Sequence, residues 1–576
     1  MKILFVLSKP YFLRYFDSVI EAALDAGHEV DLAFGWPDAR SKALRTFEHR
    51  ADAPNVLPRA PERTDSFAGM AAGIRAAADY VRYLDPDYRD ADVLRARAWA
   101  GAVGRARFIA RLSRLRTLPG SSASLILRVL MVLEGAIPSS SEVETYLRHA
   151  QADVVLVSPL VSTHLAQTDY VKSAQAIGVP VALAVASWDN LTNKGSIRAV
   201  PDRVIVWNEV QRQEAVTLHA VPPGRVELTG AHPFDRWFGR PPASSRRDFC
   251  GRVGLPPQRP YVLFLGSSGN IADKQVEEQF VRGWIEAIRS SDDSEVASLG
   301  VMIRPHPGRP GAWEALDLTG LGAAVVWPPP SRPVSSDARD EFFDSMFHAA
   351  VVVGINTSAM VEAAILGRPV LTVQSRQFAQ AQEGTLHFRH LMPEGGGFVR
   401  STRSLHEHVG QLGEAVRSPE KARTEAERFV GNFIRPLGRE RSSSTVFLEV
   451  VERLAASRAL RRSPPTPLAA PAVRRILRVL AAVAAIRRPS AAKARDRQVS
   501  RVLRKLARLA ATARGQRVSS MLLHASREVE ARGKRGRARR KALEGKRRSA
   551  RRKAAAGWVE EQLRLALKPE PPEPID

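Results

Sequence analysis

A single cysteine, Cys250, in 576 residues leaves no partner for an intrachain disulfide and no basis for a cysteine-rich metal centre. Long apolar runs are missing too. The best stretch, around Leu125 to Leu133, is broken by Arg128, far short of the roughly 18 uninterrupted apolar residues of a membrane span, so any membrane contact is expected to be peripheral. The N-terminus has an apolar core only from Ile3 to Leu7 before Ser8, Lys9 and Pro10, whereas a secretory signal needs about 7–15 apolar residues. It reads as a first buried strand, and the expected location is cytoplasmic, at most peripheral on the inner face of the cell membrane. No metal and no cofactor are expected. The carboxylates of DARDEFFD, Asp337 to Asp344, read as a solvated helix face.

Acidic residues are scarce in one place. From Ser457 to Asp576 there are 33 Lys+Arg against 9 Asp+Glu, a net of +24, which leaves 53 − 51 = +2 for the first 456 residues out of a total of +26. The basicity therefore reads as belonging to an appendage and not to the folded body. Within that tail Val499, Val502, Leu503, Leu506, Leu509, Ala510 and Ala513 follow helical spacing, with arginines largely off the stripe. Anionic membrane is the expected partner of residues 473–568, with nucleic acid as the alternative for the Arg/Lys run Gly533 to Lys553. Trp558 is the sole aromatic residue there, which argues against base stacking.

What is plentiful is β-α alternation. Strands are expected at Ile3–Leu7, Glu29–Phe34, Asp153–Ser158, Val179–Ala186, Arg203–Trp207 and Val226–Leu228, with an Ala/Arg-rich helical insertion at about 59–147. After a Gly/Pro/Ser linker near Gly239 to Ser245, a second series runs Tyr261–Leu265, Gly300–Ile303, Ala323–Trp327, Ala350–Val353 and Pro369–Val373. This predicts an α/β protein with two Rossmann-like doubly wound domains, 1–238 and 246–456, facing across a cleft, and a basic, partly helical tail at 457–576. The helix Ser443 to Ala456 is expected to return to the first domain.

Ligands of such sheets bind beyond the carboxyl ends of the strands, and four strand ends stand out. Gly266, Ser267 and Ser268 follow one strand, where small residues let amides approach a diphosphate; ordinary turn chemistry explains them equally. Arg304 and His306 sit in a loop stiffened by Pro305 and Pro307, presented to a ligand or merely hydrogen-bonded. Asn356, Thr357 and Ser358 precede a helix and form a metal-free anion site, with Glu362 one turn on and placed to accept from ribose hydroxyls; an N-cap and a capping-box partner are the alternatives. In the first half, Ser187 to Gly195 is a dense polar cluster suited to sugar recognition or acid/base work, or else an Asn-rich turn.

The segment VVVGINTSAMVEAAILGRPVLTV, with the Arg-Pro-His-Pro loop, resembles the donor half of the GT-B glycosyltransferases. It is most similar to the branch with capsule and surface-polysaccharide transferases, CDP-glycerol glycerophosphotransferases and UDP-N-acetylglucosamine 2-epimerases. The resemblance implies that Glu362 contacts the donor ribose and that Thr357 and Ser358 contact phosphate. It implies a nucleotide-sugar donor and an acceptor glycan that is lipid-linked or part of a polysaccharide. Because an inverting transfer must take a proton from the acceptor hydroxyl, Asp189 of the polar cluster is the expected general base, with His164 on the same predicted edge as the alternative. Asn190 and Lys194 then lie on the acceptor side or against the donor phosphates, and Arg304 and His306 stabilise the leaving nucleotide. Gly-Ile-Asn-Thr-Ser departs from the Asp-Tyr-Ser-Ser of the glycerophosphotransferases. A 2-epimerase and a non-catalytic nucleic-acid binder remain the competing functions.

Overall fold

A computed structural model describes residues 1–35, 46–105, 120–161, 166–269, 271–309, 313, 316–329 and 338–457. The chain divides into two compact units, Met1–Arg474 and Arg475–Asp576, and all that follows concerns the first. The expectations for the tail and for His164 fall outside the described residues.

Continuous apolar runs such as KILFVL, VVLVS and YVLFL are buried from end to end, as strands covered on both faces must be. They assemble two wholly parallel sheets. The first contains β1 (Lys2–Leu7), β2 (Glu29–Phe34), β3 (Asn55–Val56), β4 (Val154–Ser158), β5 (Val181–Ala184), β6 (Arg203–Val206) and β7 (Val226–Leu228), in the order β3-β2-β1-β4-β5-β6-β7. The second contains β8 (Tyr261–Leu265), β9 (Gly300–Arg304), β10 (Ala324–Val326), β11 (Val351–Gly354), β12 (Val370–Val373) and β13 (Arg400–Thr402), in the order β10-β9-β8-β11-β12-β13. Both are doubly wound Rossmann-like orders, with reversal points between β1 and β4 and between β8 and β11. The expected fold class is thus the observed one.

Two strands were not foreseen. β3 and β13 are edge strands of two and three residues, partly exposed and paired on one side only, so neither leaves an apolar run in the sequence.

Between β3 and β4 lie the helices Ala68–Arg82, Asp92–Arg105, Gly120–Ala136 and Ser141–Ala150. The insertion is joined to the first sheet by buried charge. Asp169 accepts from Arg63 Nη1 at 2.9 Å and Arg75 Nη1 at 2.7 Å, and Arg75 also pairs with Glu134 at 2.9 Å. Buried ions need such mutual compensation to be tolerated.

The two halves share an apolar cluster in which Trp207, Phe234 and Trp237 meet Tyr261, Phe343 and Phe429. The helix Ser443–Ala456 returns to the first sheet, burying Phe447, Val450 and Val451 beside Ile3, Phe5 and Val19. Asp235 fixes its start, accepting from the amides of Ser443 at 3.1 Å and Ser444 at 2.7 Å, and pairing with Arg435 at 3.0 Å. Gly230, at φ 85°, passes so close that a Cβ would collide with Ser443 Oγ and Ile434 O.

The solvated reading of Asp337 to Asp344 needs correction. Within the described part, Glu341 and Asp344 are buried. Asp344 accepts from the amides of Ala243 at 2.9 Å and Ser244 at 3.0 Å, so it ties the interdomain linker to the helix Ala338–Phe347.

Candidate functional site

The loops at the carboxyl ends of the two sheets face one another. After β1 the chain makes a 3-10 turn, Pro10–Tyr15, from which Arg14 donates to Tyr15 Oη at 2.7 Å and to Tyr11 Oη. Its guanidinium lies 4.0 Å and 4.7 Å from the Tyr11 and Tyr15 ring centroids, a cation-π arrangement that holds the charge in place. Arg14 is electrostatically coupled to Glu362 and His306 of the second half. Arg236, itself paired with Asp17 at 2.7 Å, is the other first-half cation acting on Glu362. Glu362, on the helix Ala359–Ile365, has its carboxyl pushed up to about 7 by burial, against the opposing pull of Arg236 and Arg14.

Trp188, in the loop after β5, donates from Nε1 to Ser358 Oγ at 3.1 Å, a direct link between the halves. The capping alternative for Ser358 is not realised: Ser358 makes no side-chain cap bond, because its hydroxyl serves Trp188. Thr357 Oγ1 sits 3.5 Å from the Ala359 amide. Asn356 differs from expectation. It is buried, and its Nδ2 donates to Ala381 O, so it braces a neighbouring loop instead of facing a ligand.

The strand ends of β8 and β9 also depart from expectation. Ser267 is buried and its amide donates to Glu277 Oε1 at 2.7 Å; the protein's own carboxylate takes the donor that was expected to meet phosphate. Gly266 gives its amide to Arg304 O at 2.9 Å, and a Cβ there would lie 3.0 Å from that oxygen, so glycine is required for packing. Ser268, half-buried, turns its carbonyl to the Ile271 amide at 2.9 Å. Arg304 closes β9 and is buried, its guanidinium directed to the carbonyls of Glu341 at 3.4 Å and Ala338 at 3.5 Å and lying 5.0 Å from the Phe342 ring. It belongs to the wall, not to the presented surface. His306 does remain in the loop. Its Nδ1 accepts from the Gly308 amide at 3.0 Å, which places the proton of the neutral ring on Nε2. Burial and then Arg14 and Arg309 lower its pKa, so it is a neutral donor at pH 7.

The Ser187 to Gly195 cluster is the second focus. Asp189 Oδ2 lies 3.1 Å from Lys194 Nζ. Burial alone would raise the carboxyl, but Lys194, His387 and the Ser187 hydroxyl overcome it and hold Asp189 well below the usual carboxylate range. His387 comes from the second half, set edge-on to Trp188 at 4.7 Å; burial pushes it down to about 4, with Asp189 opposing. His390 Nε2 meets Glu214 Oε1 at 2.6 Å beside them. Asn190 is structural, accepting from the Ala186 amide at 3.2 Å. Behind the loop the helical insertion grips the backbone: Arg82 donates to the carbonyls of Leu191, Lys194 at 3.2 Å and Gly195 at 2.9 Å, and Tyr83 Oη donates to Lys194 O at 2.6 Å.

Of the expected site residues, His306, Ser358, Glu362, Asp189 and Lys194 are thus brought to facing loops, with Thr357 beside Ser358. Gly266, Ser267, Arg304, Asn356 and Asn190 are committed to packing or to internal hydrogen bonds. Sequence reasoning missed Arg236, His387 and Arg82. Among the described residues no group of three or more His, Cys, Asp or Glu is arranged to hold a metal ion. A cavity of about 370 Å³ lined by Leu147, Arg148, Gln151 and Ile177 lies at the opposite edge of the first sheet and takes no part.

No family model matches the sequence, and no curated protein matches it. Solved structures do align with the chain. A UDP-GlcNAc 2-epimerase from Methanocaldococcus jannaschii, in complex with UDP-GlcNAc and UDP, is 12% identical over 79% of this chain and 100% of its own, with a TM-score of 0.43. A glycosyltransferase from Rickettsia africae is 8% identical over 79% of this chain and 98% of its own, with a TM-score of 0.44. The S. aureus MnaA–UDP structure is 12% identical over 79% and 96%, with a TM-score of 0.44.

Proposed function

We propose that the chain is a metal-independent glycosyltransferase that takes a nucleoside-diphosphate sugar between its two sheets and passes the sugar to an acceptor hydroxyl beside Asp189. The observation that carries the reading is that Glu362 of one half is held between the influence of Arg14 and Arg236 of the other, at facing sheet edges joined by the Trp188–Ser358 hydrogen bond. That arrangement suits a ligand with a diol at one end and two phosphates beyond it.

In this reading Glu362 accepts from the ribose hydroxyls. The His306 Nε2–H, the Thr357 and Ser358 hydroxyls and Arg14 meet the diphosphate, whose charge grows as the sugar–oxygen bond breaks. Asp189, kept ionised by Lys194, accepts the proton of the acceptor hydroxyl as its oxygen bonds to the sugar carbon, and the nucleoside diphosphate leaves. The acceptor is a polysaccharide or a lipid-linked glycan.

Thermal stabilisation by a panel of UDP, GDP, CDP and dTDP compounds tests the first step, with Glu362→Ala as the control that abolishes it. Acceptor-dependent release of nucleoside diphosphate tests the second. Turnover of the sugar without any acceptor would replace transfer by epimerisation, and the absence of any stabilising nucleotide would refute both.

A further inference from the structure

The helix Gly120–Ala136 exposes aliphatic side chains to water. Ala123, Leu130 and Glu134 are buried on the side that lies against the helix Ala68–Arg82, where Glu134 pairs with Arg75. Its outward side carries Leu125, Val129 and Val132, exposed at 63%, 52% and 65%. At roughly 100° per residue these three and Arg128 fall within an arc of about 100°. A helix in contact with water ordinarily places polar residues there. These three are half of the six large hydrophobic residues exposed among the described residues, so the stripe is a concentration and not ordinary surface scatter.

The sequence before and within this helix is one-sided in charge. Between Asp92 and Glu134 the sequence has eight arginines and no acidic residue, in a body whose net charge is only +2 by the count above. A nucleic acid would use the arginines and leave the aliphatic stripe in water. An anionic bilayer takes both, with the exposed Arg128 guanidinium at the lipid phosphates and branched aliphatic chains among the acyl groups. Among the described residues no single helix is long and apolar enough to cross a membrane, so the helix is suited to lie along an interface.

We propose that the outer face of the helix Gly120–Ala136, through Leu125, Val129 and Val132, docks on an anionic lipid surface. The helix then rests about 5–10 Å into the headgroup boundary. This docking is separate from the basic tail and does not depend on what the crevice binds.

The test uses the full chain. Because the sole cysteine, Cys250, is buried, Val129→Cys or, as a second position, Val132→Cys accepts one environment-sensitive fluorophore, and Glu394→Cys, exposed in the second half, provides the reference. With vesicles of mixed phosphatidylglycerol and phosphatidylcholine, the labels at 129 and 132 should shift to the blue and brighten by roughly twofold or more, as expected for transfer into the interface. The label at 394 should not change, nor should phosphatidylcholine alone have this effect. Vesicle flotation without any change at 129 and 132 would overturn the proposal by placing the contact elsewhere in the chain. So would a shift that needs no lipid and grows with protein concentration, which would mean that a second copy covers the stripe. Neither outcome touches the nucleotide reading, which thermal stabilisation tests independently.

Discussion

Glu362 should weaken the ligand-free protein it serves. A carboxyl whose ordinary value is 4.5 titrates at about 7 in the folded chain, so the folded state holds this proton more tightly than the unfolded state between those two values. Stability consequently falls as pH rises from about 4.5 to about 7 and is flat beyond. Holding the proton from about 4.5 to about 7 corresponds to roughly 3 kcal/mol. Glu362→Gln keeps the shape and removes the ionisation. It should therefore leave stability unchanged near pH 4.5 and raise it by about 3 kcal/mol at pH 8. For about 450 residues at roughly 2.1 cal/mol/K each, this is a gain of about 3 °C in Tm.

Thermal melts of both proteins from pH 5 to pH 8.5, without nucleotide, read the effect directly. The two Tm curves should diverge as pH rises and become parallel above about pH 7.5. Curves parallel throughout would refute the claim that burial between the sheets raises this carboxyl. The ligand adds a second sign. If ribose hydroxyls donate to the ionised form, as proposed, nucleotide binding below pH 7 must expel a proton, and affinity should rise with pH by up to about tenfold per unit below that value. Calorimetry in two buffers of different ionisation enthalpy counts the proton, and Glu362→Gln should release none.

Asp189→Asn should lower kcat by about 10²–10⁴-fold, the usual contribution of a general base, with thermal stabilisation by donor nucleotide unchanged; since Lys194 and His387 hold the Asp189 carboxyl down, the wild-type rate should show no limb from Asp189 in the neutral pH range. Arg82→Met removes the cation gripping three carbonyls of the Asp189–Lys194 loop, so kcat should fall while nucleotide stabilisation persists, and amide exchange at residues 191–196 should speed up; unchanged exchange would dismiss the clamp. Asp235→Ala strands Arg435 and uncaps the returning helix, a loss of about 3–5 kcal/mol for breaking a buried pair, measured by urea unfolding.

Strand positions were legible because burial on both faces writes a continuous apolar run, and the alternation of such runs with helices made the doubly wound class legible. The ends of those strands were legible only as neighbourhoods. Gly266, Ser267 and Arg304 have the residue types of a phosphate loop, yet Glu277 takes the Ser267 amide and Arg304 turns beneath Phe342. Sequence spacing reports which residues share an element's face. It does not report which competing partner a hydrogen-bonding group finds when that partner comes from another element. Arg236, His387 and Arg82 were missed for the same reason: they act on residues 126, 198 and about 110 positions away in the chain, as the pairs Arg236–Glu362, Asp189–His387 and Arg82–Leu191 show.

The same competition also explains why the facing loops hold the charge they do. Each cation that could neutralise a nearby carboxylate outright is already engaged: Arg236 with Asp17, Lys194 with Asp189, and Arg14 with two tyrosine hydroxyls. Glu362 is left to feel Arg14 and Arg236 only through space, and burial outweighs them. A carboxyl in that position is neutral or charged according to what lies beside it. On the proposed reading it accepts from the ribose diol when ionised, and taking up a proton relieves the cost of charge at this desolvated position. That is a physical reason for placing a glutamate, and not a glutamine, one turn into the helix that begins after Ser358.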